Sequence, residues 1–113
     1  MHEISIVYDT LQIANENGEK NNIKKIDKIF MKIGEFTCVE ESSLKFAFES
    51  LKKNTICEDA ELIIEKIKAK ALCNYCNKEF IIDFTNKLCP KCNRYSSNIT
   101  SGYEIMVWQI EGE

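Results

Sequence analysis

Two Cys-x-x-Cys pairs, Cys73 with Cys76 and Cys89 with Cys92, stand twelve residues apart in the segment CNYCNKEFIIDFTNKLCPKCNRY. Each pair bends the backbone so that two sulfurs and several N–H groups aim at one point, and two such turns supply the four thiolates of a tetrahedral metal site. A chain carrying this feature has to fold residues 73–92 back on themselves into a small closed module. An all-cysteine shell leaves no open position for a substrate, so the expected ion is a structural Zn(II). Iron in the same four-sulfur geometry is the competing assignment. A thioredoxin-like redox role would need a cysteine opening a helix, and neither CNYC nor CPKC begins a helical pattern. Glycine often follows the second cysteine of such turns; Asn77 and Asn93 stand there instead, the next residue type most tolerant of a left-handed backbone. Pro90 stiffens the second turn, and EFIIDF between the pairs reads as a short hairpin strand.

The other two cysteines, Cys38 and Cys57, are isolated and are expected to pack as small buried or half-buried residues. The start MHEISIVYD has an acid where a secretory signal has basic residues, and no run approaches the ~18 apolar residues of a membrane span. A cytoplasmic location is therefore expected, and in a reducing compartment the clustered cysteines serve a metal rather than disulfides. With 18 acidic and 15 basic residues the chain carries a net charge of -3, which offers no footprint for nucleic acid or an anionic membrane. Lys78, Lys87, Lys91 and Arg94 give the module a mildly basic skin, but Glu79 and Asp83 dilute it. Tyr75 and Tyr95 are the aromatic residues placed to stack there, and the charges read as a solvated face.

Elsewhere periodicity supplies the elements. Ile4, Val7, Tyr8, Leu11 and Ala14 recur at helical spacing from Glu3 to about Asn15, with Asn17-Gly18 as a left-handed stop. In IKKIDKIFMKIGEF, Ile29, Met31 and Ile33 share one face and Phe30 the other, as in a strand. Ser42 or Ser43 is expected to cap a second helix whose buried stripe is Leu44, Ala47, Phe48 and Leu51. ELIIEKIKAKAL alternates as a second strand running straight into Cys73, and YEIMVWQIE is a third. The class expected is α+β: a small α/β domain of two helices and a three-stranded sheet, spanning 1–72 and 98–113, with a zinc-ribbon-like module, 73–97, inserted between strands two and three. Because the second and third strands flank the insertion and are able to pair, the module is expected to hang on a two-stranded stalk. Long strands around an insertion also permit domain swapping, which leaves monomer and dimer both open.

The single histidine, His2, sits next to the N-terminus. A free α-amine on Met1, the His2 amide nitrogen and the imidazole Nδ1 close fused chelate rings in one plane around a metal. Planar nitrogen donors suit Ni(II) or Cu(II), whereas zinc prefers a tetrahedron. Histidine is too bulky for ready removal of the initiator methionine, so Met1 is expected to stay. A fourth ligand is available from the Glu3 amide, from the carboxylate of Glu3 or Glu40, or from a partner protein.

The motif MHE at the terminus, an amphipathic helix, an αβαβ run and CxxC-x12-CxxC before a last strand together resemble the HypA/HybF family of nickel chaperones for hydrogenase maturation. The resemblance covers essentially the whole chain. It implies Ni(II) as cargo bound by His2 with Met1 and Glu3, Zn(II) held by Cys73, Cys76, Cys89 and Cys92, and Glu40 as an acidic residue near the nickel end. It further implies a GTPase partner, delivery to the hydrogenase large subunit precursor, and in some members service to urease and its accessory proteins. Some members carry histidines flanking the cysteine pairs; this chain has Asn77 to Glu79 and Asn93 there, so a pH-linked exchange of zinc ligands is not expected. No GxxxxGK[ST] loop and no nucleophile with its base are present, so the chain itself is not expected to be an enzyme. A zinc-ribbon adaptor binding protein or nucleic acid, for which MHE is an accident, is the alternative from a different class.

Overall fold

The computed structural model describes residues 3–113; Met1 and His2, and with them two of the expected nickel ligands, lie outside the described residues. The order is α1 (Glu3–Lys20), β1 (Ile26–Gly34), a short 3-10 turn (Glu35–Thr37), α2 (Glu41–Leu51), β2 (Glu61–Ile67), β3 (Lys70–Cys73), β4 (Lys78–Ile81), β5 (Ile99–Ser101) and β6 (Ile105–Gly112). Two three-stranded sheets form, with strand orders β2-β1-β6 and β4-β3-β5. The fold is the expected α+β. No helix among the described residues is long and apolar enough to cross a membrane.

The chain divides into two compact units. The first comprises residues up to Lys32, Cys38–Glu65 and Met106–Glu113; the second comprises Ile33–Thr37 and Lys66–Ile105, a wider span than 73–97. In the first unit, Val7, Leu11 and Ala14 of α1 and Leu44, Ala47 and Phe48 of α2 are buried, as are Ile29 and Met31 of β1. The odd-numbered face of β1 is therefore the core face, as its alternation predicts. Lys25 and Glu113 exchange both backbone hydrogen bonds (3.1 and 2.9 Å), so the ends of β1 and β6 meet antiparallel.

Several expectations are corrected. α1 runs through Asn17-Gly18 to Lys20, and the left-handed residue beyond its end is Asn22, whose φ is 57°. There the Ile23 N–H donates to the Gly18 carbonyl (2.8 Å) and the Asn22 N–H to that of Glu19 (3.4 Å), which closes the helix with a Schellman turn. Gly18 serves packing instead, since a Cβ there would lie 2.6 Å from Ile56 Cδ1. Ile4 and Tyr8 are exposed, so the buried stripe of α1 is narrower than the periodic apolar set. Leu51, at the end of α2, is 38% exposed. The N-cap of α2 is Glu40, with neither serine in that position.

The second strand also breaks. β2 ends at Ile67 and β3 begins at Lys70 in the other sheet. The strands flanking the insertion, β2 and β6, do not pair, because β1 lies between them. The pairing at the base of the cysteine module is β3 with β5, antiparallel with an irregularity at Lys70/Ala71. EFIIDF does supply a strand, β4, paired with β3 from Lys70↔Ile81 to Cys73↔Lys78.

In the second unit Gly34 and Gly102 bring two backbones together. Gly102 has φ 123°, a conformation L side chains rarely adopt, and a Cβ on Gly34 would collide with the Gly102 carbonyl. Gly34→Ala is accordingly expected to destabilise the protein by about 3 kcal/mol, the upper end of overpacking costs. A urea-unfolding midpoint unchanged in that variant would contradict the close approach.

Candidate functional site

The sulfurs of Cys73, Cys76, Cys89 and Cys92 lie within 4.8 Å of one another, with Cys73 and Cys89 buried and the other two half-buried. This is the sole cluster of three or more metal-ligating side chains among the described residues. Each pair of cysteines is carried by the same local device. The Asn77 N–H donates to the Cys73 carbonyl and the Asn93 N–H to the Cys89 carbonyl, both at 2.7 Å, and the two asparagines adopt φ 58° and 62°. The left-handed residue expected after each second cysteine is therefore present. The Cys76 N–H points at the Cys73 sulfur (3.3 Å), and Cys73 Sγ lies 3.5 Å from Cys92 Sγ. A tetrahedron of ~2.3 Å metal–sulfur bonds has edges of about 3.8 Å, so this donor set fits a single ion at its centre.

The electrostatics point the same way. The Cys73 thiol is lowered to about 7, chiefly by the N–H of Cys76, which favours its thiolate. Cys76 is pushed up to about 12, first by its hydrogen bond with the Cys92 sulfur, and Cys92 is raised by burial. Sulfurs this close resist ionising together without a cation. Metal uptake replaces thiol protons, so the bound state carries fewer protons and apparent affinity rises with pH. Competition against a chelator between about pH 6 and 8 is expected to show this rise; a flat profile would speak against thiolate ligation.

The expected separation of the remaining cysteines holds, with one correction. Cys57 is fully buried and its thiol is raised by that burial, as suits a packing residue. Cys38 is exposed, where a buried or half-buried residue was expected, and has φ 59°.

At the other end of the sequence, Glu3 opens α1 and Glu40 precedes α2. The structure brings the two together: the Glu40 N–H donates to Glu3 Oε2 at 3.4 Å. The Glu40 carboxylate accepts the hydroxyls of Ser42 (2.7 Å) and Ser43 (3.1 Å), and these hydrogen bonds hold it below the usual carboxylate range. The serines read as caps thus act on the glutamate, a role signalled by their spacing two and three residues after it. An acidic pair at a helix N-terminus is also favoured by the helix dipole. A groove of about 640 Å³ opens beside it, lined by Glu3, Ile4, Ser42, Ser43 and the exposed Phe46.

Residues 1–112 match the family described as hydrogenase/urease nickel incorporation, metallochaperone, HypA. The chain belongs to the HypA family. It is 37% identical over 113 residues to the hydrogenase maturation factor HypA of Aquifex aeolicus, covering 100% of this chain and 98% of that one. It is 32% identical to the hydrogenase maturation factor HybF of Proteus vulgaris, with both chains covered in full (100%). The solution structure of the Ni metallochaperone HypA from Helicobacter pylori superposes with a TM-score of 0.70 at 28% identity, covering 99% of this chain and 97% of that one. A further HypA solution structure gives 0.75 at 30% identity, covering 100% and 97%. HypA-family membership makes this chain a nickel-incorporation metallochaperone of hydrogenase maturation, not a catalyst by class, with a four-cysteine metal site.

Proposed function

We propose that the chain carries Ni(II) as cargo on its N-terminus and passes it, with a GTPase partner, to the cytoplasmic hydrogenase large subunit precursor. Urease and its accessory proteins are a second recipient of the same cargo. In this reading His2, with nitrogens of Met1 and the amide or carboxylate of Glu3, binds nickel. Residues 1–72 and 98–113 form the nickel-binding domain, and 73–97 form the module in which Cys73, Cys76, Cys89 and Cys92 hold Zn(II). When bound, zinc supplies a permanent cross-link between the two cysteine turns; no chemistry at the nickel end runs through it.

The observation that carries the reading is the hydrogen bond from Glu40 to Glu3. It fixes the residue next to His2 against the start of α2 and leaves Glu40, its carboxylate held ionised by two hydroxyls, as a further oxygen donor nearby. A carrier has to capture a metal and also release it, and few side-chain ligands at a terminus meet both needs. The exposed Ile4, Tyr8 and Phe46 in the same unit support docking of a protein partner at this end. Equilibrium dialysis of zinc-loaded protein with its native terminus tests the proposal. Stoichiometric Ni(II) uptake beyond the zinc, and transfer to the precursor that depends on the GTPase and GTP, are expected. Nickel bound only at the four cysteines would overturn it.

A further inference from the structure

The cysteine module carries a polar cleft whose exposed residues belong to neither proposed metal site, with Cys73 alone of the four cysteines in its lining. The Arg94 guanidinium carbon lies 3.6 Å from the centre of the Tyr75 ring, so the planar cation rests on the aromatic face. None of the three ion pairs among the described residues involves Arg94, and the side chain is exposed. Beside it opens a cleft of about 320 Å³ lined by Cys73, Asn74, Tyr75, Arg94, Tyr95 and Ser96. Cys73 and Ser96 are the buried floor, while Tyr75 and Tyr95 are 69% and 67% exposed.

The backbone on both sides is held firmly. The Cys89 N–H donates to the Arg94 carbonyl (2.8 Å), and Tyr95 forms a β-bridge with Leu88. The Ser96 hydroxyl donates to the Leu72 carbonyl at 2.6 Å, and the Asn98 side chain reaches Asn74 at 3.3 Å. The cleft is thus built on the same turns that position the sulfurs. A guanidinium fixed against a ring keeps its N–H fork in place, and that fork matches a carboxylate in a way an ammonium does not. Two exposed tyrosines beside it offer apolar flat surface with polar tips, the composition of a contact surface for peptide.

We propose that this cleft docks an acidic peptide segment of a partner protein, in which Arg94 receives a Glu or Asp carboxylate and Tyr75 and Tyr95 hold the adjoining apolar side chain. A nucleic acid is the poorer fit. One fixed guanidinium meets one anion, whereas a phosphate backbone needs a track of cations, and Glu79 and Asp83 interrupt the remaining lysines of the module. The proposal is independent of nickel.

Amide NMR titration of the full-length, zinc-loaded protein at low salt tests it with four probes: a capped Gly-Glu-Phe-Glu-Gly peptide, its Gln-Phe-Gln counterpart, glutarate, and single-stranded oligouridine. The acidic peptide is expected to shift the amides of Asn74, Tyr75, Arg94 and Tyr95, and the Gln counterpart to bind about tenfold more weakly or not at all. Arg94→Gln should abolish the shifts, Arg94→Lys should weaken binding, and Tyr75→Phe, which keeps the ring, should retain it. Zinc content and nickel uptake should be unchanged in all three, which separates this site from the nickel-carrying role. Equal binding of the two peptides, undiminished binding by Arg94→Gln, shifts by glutarate as strong as by the peptide, or tighter binding of oligouridine would each overturn the proposal.

Discussion

Cys73→Ser or Cys92→Ser is expected to release the zinc and unfold the cysteine module while α1 and α2 stay folded. The second unit has little else to hold it. Its buried set is Phe36, Ala69, Ala71, Cys73, Phe80, Ile82 and Cys89, and two of these belong to the proposed zinc site. Modules of this size rarely sustain a fold on apolar burial alone and rely on a metal or disulfides. Structural zinc contributes about 10–16 kcal/mol to small finger-like units, comparable with the ~5–15 kcal/mol stability of a whole domain, so loss of the ion decides the outcome. The first unit has its own core, with Phe48, Leu44, Ile29 and Val7 fully buried, and should survive. Metal analysis together with amide dispersion for residues 70–101 checks this directly. Full zinc retention after loss of two of the four cysteines would exclude the site, and Cys38→Ala and Cys57→Ala should leave zinc content unchanged.

His2→Ala is expected to remove stoichiometric nickel binding while leaving zinc and fold intact. If the donors include the terminal amine and the first amides, a Gly-Ser extension before Met1 should weaken or remodel the site with His2 still present, because the amine becomes an amide without a basic lone pair. Binding through deprotonated nitrogens releases protons, so nickel affinity should rise with pH. Calorimetric titration of the native terminus, the extended chain, His2→Ala and a C-terminally tagged control separates the cases. Unchanged affinity in His2→Ala would eliminate the terminal nickel site. A normal site in the extended chain with His2→Ala inactive would exclude the amine and move the search for the remaining ligand to Glu3 and Glu40, where the Glu40 N–H donates to the Glu3 carboxylate at 3.4 Å.

Most of the short-range patterns in this sequence are legible, and the pairing of its strands is not. The β1 alternation at Ile29, Met31 and Ile33, the Leu44-Ala47-Phe48 stripe and the left-handed asparagines all follow from residues within a few positions of one another. The alternation of Ile63, Glu65, Ile67 and Ala69 continues without a break, yet β2 ends at Ile67, since Ala69 belongs to the second unit, where its N–H is taken by the Glu35 carboxylate at 2.7 Å. A period-two pattern specifies a face and says nothing of which sheet the strand joins. The central place of β1 rests on partners distant in sequence and left no local mark. β5 spans just Ile99–Ser101, too short to show a period. Before α2, Ser42 and Ser43 fit the cap pattern because hydroxyl residues ahead of an apolar stripe usually do, and the glutamate two residues before Ser42 holds that position.

The strand order β2-β1-β6 bears on how the protein emerges from the ribosome. β1 is synthesised early but waits for its second neighbour until the last codons are translated, after every cysteine of the module has been incorporated. Domains generally acquire structure in the order in which they are made. β2 can therefore pair with β1 first, and β6 closes the other edge of the sheet last. A ribosome stalled within the module would expose β1 as a pairing template for other chains. Completion of the sheet β2-β1-β6 is in this way made contingent on translation through the cysteine module, a built-in order of assembly for a maturation factor of the HypA family.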